Sequence, residues 1–282
     1  MSSLATILSF CSHDVRFLSR AIEEAHHFSD QIILSYCDHF FDGTPENRPL
    51  LDLLPSLFPD VQCVEFAYDV KRLYIPYLSC TQDDPNWPRY WAATTRYVGY
   101  HALKPSIDTV LFLDTDEIPD GRRFRDWLST YNGESALSFA SYFYDLLPHR
   151  RARGVQEIFA LFRRDALQAE QLLHRNERHH LFTATTGLHK TWVVGLDGLP
   201  LLHHYSWTRT RPECLAKARR WGHRADGPWE ALIDEWFREQ SRLHTGFGQA
   251  LEYEEVEPFF DPFATPNRVH HDRQSLFLAS MG

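Results

Sequence analysis

The chain has 282 residues, 43% hydrophobic, 14% aromatic and 24% charged, a composition that builds a large packed core and excludes a disordered, fibrous or multi-span membrane protein. Its 29 Lys and Arg against 38 Asp and Glu leave a formal charge of -9, which excludes a surface that coats nucleic acid by charge alone. Five scattered cysteines without a CxxC pair point to reduced thiols rather than a disulfide framework or a thiolate zinc cluster.

Apolar residues from Thr6 to Phe10 predict a first strand, and Val15, Leu18, Ile22 and Ala25 recur at helical spacing up to Ser29, with Asp14 placed to cap that helix. A second strand is expected over Gln31 to Tyr36, a helix from Pro45 to about Leu57, and a third strand from Val61 to Ala67. This βαβαβ order implies a parallel sheet. After a proline-broken loop, Tyr90 to Leu103 reads as a helix, and Thr109 to Leu113 is a continuous apolar run of the kind covered on both faces in mid-sheet. No stretch approaches the roughly 20 apolar residues of a membrane span, and the first ten residues lack a cationic start, so a cytoplasmic location is expected.

Immediately after that buried strand stand Asp114, Asp116 and Glu117, three carboxylates within four residues. Crowding them costs like-charge repulsion that a divalent cation would relieve, and hard oxygen donors at a strand end suit Mg2+ or Mn2+ holding a phosphate. The plainer alternative is that one caps the helix starting near Gly121 while the others are solvated.

At these residues the sequence resembles the GT-A class of nucleotide-sugar glycosyltransferases, and within it the family 2 group. Four pieces match in order over roughly the first 120 residues: the opening strand with Cys11 to Asp14, the Asp38 to Thr44 loop with Asp38 and Asp42, the Thr95 to Gly99 segment containing Arg96, and Asp114-Thr115-Asp116. Tyr97 departs from the family's usual Asn. The resemblance implies a Rossmann-like α/β fold with a mostly parallel sheet flanked by helices. It further implies that Ser12 and Asp38 lie at the base, that Asp42 caps the next helix, and that Arg96 orients the nucleotide. Asp114 would touch the ribose or the metal, and Asp116 would ligate Mn2+ or Mg2+.

The second half continues with a helix to about Tyr131, a strand over Ala136 to Leu147 and another over Val155 to Arg163. The resemblance places a general base here, with Asp145 and Glu157 as candidates. Leu201 to Trp207 is an apolar strand end carrying His203 and His204, and the resemblance implies a metal-binding His at this position; neighbours on a strand face opposite ways, so one of the two is expected to reach the ion. Lys190 and Lys217 are candidate cations for a diphosphate leaving group, with Trp192, Trp207 and Trp221 as candidate sugar-stacking rings. Trp229, Ile233 and Trp236 repeat at helical spacing, an amphipathic helix that packs on the catalytic unit or on another subunit. The tail after Tyr253 is expected to be irregular.

The expected organisation is a glycosyltransferase domain over 1–215, divided into a nucleotide-sugar half (1–120) and an acceptor half (121–215), with a helical C-terminal extension over 216–282. The expected activity is metal-dependent, inverting transfer of sugar from a nucleotide-diphosphate sugar to a hydroxyl of a glycan or glycoconjugate, as in polysaccharide biosynthesis, with oligomer formation open. Two alternatives compete: a binding protein of the same fold without turnover, and a phosphatase-type hydrolase using the first Asp of a DxD as nucleophile. Against the second, Ile118 stands where that class has Thr or Val.

Overall fold

The computed structural model describes residues 3–71, 86–174, 178–186, 192–239, 243–244 and 250–264. The first half alternates strand and helix: β1 (Leu4–Phe10), a 3-10 turn (Ser12–Asp14), α1 (Val15–Ala25), β2 (Gln31–Cys37), α2 (Arg48–Leu57), β3 (Gln62–Phe66), α3 (Trp87–His101) and β4 (Thr109–Asp114). Then come β5 (Glu117–Pro119), α4 (Gly121–Leu128), β6 (Ala136–Tyr144), β7 (Arg150–Arg163), α5 (Ala169–His174), α6 (Arg178–Thr186) and β8 (Leu202–His204). The chain closes with α7 (Arg211–Arg220), α8 (Trp229–Glu239), a pair of two-residue strands, β9 (Leu243–His244) and β10 (Ala250–Leu251), and β11 (Tyr253–Glu255).

One mixed sheet of nine strands organises these elements, in the order β3-β2-β1-β4-β7-β6-β8-β5, with β11 added alongside β7. Strands β3, β2, β1 and β4 are mutually parallel. Beyond them β7 runs antiparallel to β4 and β6 antiparallel to β7, so the sheet is parallel over its first four strands and mixed afterwards. In β1 and β4, Leu4, Leu8, Leu111 and Leu113 enter one apolar layer while Ala5, Ile7, Val110 and Phe112 enter the other. This two-sided burial is why both strands read as unbroken apolar runs.

Two glycines set how closely the helices approach. A Cβ on Gly99 would lie 2.6 Å from Cγ2 of Ile7, so α3 packs directly against β1. A Cβ on Gly121 would fall 2.1 Å from the carbonyl oxygen of Glu24, and the Gly121 amide donates to Glu24 Oε2 at 2.7 Å, seating the start of α4 on the end of α1.

Three local expectations are corrected. Asp14 precedes α1 but makes no side-chain cap, because its carboxylate is drawn into the ion cluster described below. The cap of α2 is Asn47, whose side chain accepts from the Leu50 amide at 3.2 Å, whereas Asp42 accepts from the amide of Thr44. Asp120, not the carboxylate triplet, caps α4.

The expected division at 215 falls inside α7, and the segment beyond it contributes β11 to the main sheet through Tyr253 opposite Ala152. Helix α8 packs on the rest of the chain: Trp229, Ile233 and Trp236 are buried with Phe143 and Trp207. Among the described residues, no helix is long and apolar enough to cross a membrane, and Cys11, Cys37, Cys63 and Cys214 are free thiols.

Candidate active site

A cavity of about 480 Å³ opens where the parallel strands end, on the side to which β1 and β4 deliver their last residues. The chain leaves β4 at Asp114 and re-enters the sheet as β5 at its far edge, where Glu117 stands opposite His204 of β8. The amide of Tyr205 donates to the Asp116 carbonyl at 2.9 Å, fixing the turn between the two strands. The backbone thereby brings the carboxylate triplet and His204 to one wall.

Asp116 is buried, 2% exposed. Its Oδ2 accepts from Arg209 Nη2 at 2.9 Å and from the ammonium of Lys217. Arg209 is 1% exposed and bonds Asp14 through the same Nη2, the His13 carbonyl at 2.6 Å and the Ser206 carbonyl at 3.0 Å. Two acids and two bases thus form one buried cluster. Burial raises the Asp116 pKa, but Lys217 and Arg209 outweigh it and hold the carboxyl below its ordinary value. Asp14 follows the same logic: His13, Lys217 and Arg209 overcome the cost of burial and keep it ionised.

A second set sits beside the first. Glu117, 2% exposed, receives both Nη atoms of Arg178 and, at 2.9 Å, the amide of Asp114. The Asp114 side chain is 46% open to the recess, with its Oδ2 3.6 Å from Arg178. Desolvation in the recess raises its pKa; Arg178 and Arg96 lower it, and Glu117 and Asp116 raise it, with a net upward shift. Arg96, on α3, is buried and lines the same cavity.

The structure brings together Arg96, Asp114, Asp116, His204 and Lys217 from the sequence-derived candidates. The others lie elsewhere. His203 is buried, shares a 2.8 Å hydrogen bond with the Tyr144 hydroxyl and stacks on Phe259 at 4.0 Å, on the opposite face of β8 from the cavity. Burial holds its pKa down to about 3. Asp145 is 2% exposed and faces Arg150 at 3.2 Å, and Glu157 accepts from Ser138 at 2.6 Å; neither lines the cavity. Ser12 is engaged with Glu46, and Asp38 accepts from the Tyr68 amide at 2.7 Å and pairs with His39 at 2.8 Å, both outside the lining. Lys190 falls outside the described residues.

Trp207 and Trp221 form part of the cavity wall, their ring centroids 5.3 Å apart, whereas Trp192 is exposed and lies outside it. The sequence reading missed Arg178 altogether, gave no role to Arg209 and took Asp14 for a helix cap. The one signal for Arg209 in the sequence is the density of cations around it, with Arg211, Lys217, Arg219 and Arg220 following within eleven residues.

The expected Mn2+ or Mg2+ fits these residues poorly. Among the described residues, no group of three or more His, Cys, Asp or Glu side chains is arranged to hold a metal ion. His204 Nε2 does face Asp116, 4.0 Å from Oδ1. Oδ2 of that carboxylate, however, already carries an ammonium and a guanidinium. A dication on that carboxylate would have to share it with both cations and meet their repulsion. The repulsion among the carboxylates, the sequence argument for a metal, is relieved by Arg178, Arg209 and Lys217.

No protein-family profile matches the chain, and no curated protein is significantly similar to it. Solved structures of similar outline include S. aureus TarS residues 1–349, with 9% identity over 84% of this chain and 73% of that one and a TM-score of 0.42. Glucosyl-3-phosphoglycerate synthase from Mycobacterium tuberculosis, in complex with Mn2+, UDP and phosphoglyceric acid, shares 13% identity over 50% of this chain and 43% of that one, with a TM-score of 0.30. The 4-diphosphocytidyl-2C-methyl-D-erythritol synthase of Anaerococcus prevotii shares 10% identity over 77% of this chain and 97% of that one, with a TM-score of 0.38. At these values the likeness is confined to the general course of the chain.

Proposed function

We propose that the cavity binds a nucleotide-diphosphate sugar and that the protein transfers the sugar to a hydroxyl of a glycan or glycoconjugate. The observation that carries this reading is the wall at the end of β4, where half-open Asp114 and buried Asp116 share one cavity with Arg96, Arg178 and Lys217. The motif resemblance over the first 120 residues supports it independently. Negative charge grows on the diphosphate as the bond to the sugar C1 breaks, and Arg178 and Lys217 are positioned to stabilise it. Trp207 and Trp221 line the cavity, where a sugar could pack against them.

An acceptor hydroxyl loses its proton as it attacks C1, to a base within about 3 Å. Asp145 and Glu157 stand outside the cavity, and we propose Asp114 or His204, which line it, for this role. Burial raises the pKa of Asp114, which strengthens its carboxylate as a base. Inversion at C1 follows the resemblance, and the anomeric configuration of the product by NMR tests it.

The first experiment is thermal unfolding of the full chain with UDP, GDP, dTDP and CMP and with their sugars. A ligand that binds only the folded state at about 100 times its Kd adds roughly 2.7 kcal/mol, a shift of several degrees for a chain of this size. A shift with one base, abolished in Lys217→Met, supports the donor site. No shift with any nucleotide in a folded sample would overturn the proposal.

A further inference from the structure

The carboxylate expected to ligate a divalent ion carries the ammonium of Lys217 instead, and this determines how a diphosphate is held. Resting on the proposed donor site, we infer that Lys217 is itself the bridging cation between Asp116 and the diphosphate, and that nucleotide binding requires neither Mn2+ nor Mg2+.

Lys217 is 5% exposed and lines the cavity, with its Nζ on Asp116 Oδ2 and 3.8 Å from Asp14 Oδ1. An ammonium has three N–H donors. Among the described residues one is used on Asp116 and the ion pair to Asp14 lies beyond hydrogen-bonding distance, which leaves donors for phosphate oxygens from the same position. The helix behind it is firmly started: the Thr210 amide donates to Glu213 at 2.8 Å in a capping box, and Cys214 and Ala218 are buried on either side of Lys217. Arg209 plays the complementary part. Through Nη2 it holds Asp14 and Asp116 together from within the protein, leaving the cavity side of the cluster to Lys217.

The charges balance. Glu117 and Asp114 face Arg178 and Arg96, while Asp14 and Asp116 face Arg209 and Lys217. Remove the last two bases and the wall is short by two positive charges, which is what one divalent ion would supply. With them in place the empty wall has no deficit for an ion to fill, and the charge of an incoming diphosphate falls to the remaining donors of Lys217.

The test is isothermal titration of UDP, GDP and dTDP into the full chain, once with EDTA and once with excess MnCl2, alongside Mn2+ electron paramagnetic resonance of the protein without nucleotide. The expected result is one nucleotide whose affinity differs by less than about twofold between the two buffers, a Mn2+ signal that stays that of the free ion, and a roughly tenfold or greater loss in Lys217→Met, recovered in large part by Lys217→Arg. A nucleotide that binds tenfold or more tightly with Mn2+, or a bound Mn2+ signal that disappears in Asp116→Asn, would overturn the inference and leave the donor site standing. No nucleotide binding in either buffer would overturn both. The comparison of buffers uses the wild-type chain, so it holds even if Lys217→Met unfolds.

Discussion

The guanidinium of Arg209 bonds the carboxylate of Asp14, 195 residues earlier in the chain, and with the same nitrogen reaches Asp116 at 2.9 Å. It also lies 4.6 Å from the centre of the Phe17 ring. The loop after β8 is therefore locked to the loop after β1. Removing one partner of a buried, hydrogen-bonded ion pair costs about 3–5 kcal/mol because the remaining charge stays buried. Arg209→Met is expected to lose stability in that range, read from the urea midpoint at pH 7. A loss below about 1 kcal/mol would mean that Asp14 and Asp116 are satisfied without it.

Asp116 and Lys217 form the second buried pair of the cluster, and each also interacts with other members. Lys217→Met and Asp116→Asn are each expected to destabilise the chain. The double variant is expected to lose less than the sum of the singles, with a coupling of about 1–3 kcal/mol. Additive losses in the double-mutant cycle would show that the two side chains act separately.

His203 makes a prediction about pH. An unfolded histidine titrates near 6.5, whereas burial against Tyr144 and Phe259 holds this one to about 3. Between those values the unfolded chain binds more protons than the folded one, so the contribution is complete above about 6.5 and shrinks as pH falls toward 3. Between pH 7 and pH 5 the loss is about 2 kcal/mol. Urea unfolding of wild type and His203→Gln at both pH values checks this; equal pH slopes in the two proteins would contradict it.

Gly121 sits where a side chain has no room, since its Cβ would meet the backbone of Glu24 rather than a movable side-chain tip. Gly121→Ala is expected to cost about 2–3 kcal/mol, as overpacking does when neighbours cannot yield. It would also disturb the Gly121 amide bond to Glu24. An unchanged melting temperature would show that α4 shifts freely on α1.

Strands β1, β2 and β4 are legible in the sequence because both of their faces are buried, giving runs that no surface element produces. Helix α8 is legible through Trp229, Ile233 and Trp236 on one face. Strand β5 is three residues long, too short to carry any period, whereas β8 is legible as the apolar strand end at Leu201 to Trp207; their pairing, which places Glu117 beside His204, is not. In the cavity, Asp114 and Asp116 could be found because they follow a buried strand. Arg178 and Arg209 could not, because nothing in a sequence distinguishes an arginine that neutralises a buried acid from one in water. Asp14 was obscured for a related reason: an acid before a helix has an ordinary explanation as a cap, and here the ion cluster takes precedence over it.

The four residues from Asp114 to Glu117 run from a central strand to the opposite border of the sheet. They form a short turn held by Arg178 at Glu117 and by Lys217 and Arg209 at Asp116. Moving this segment would part Glu117 from Arg178, and Asp116 from Lys217 and Arg209, a cost that favours a single position for it. Whatever molecule the cavity admits therefore meets these carboxylates and cations already in position.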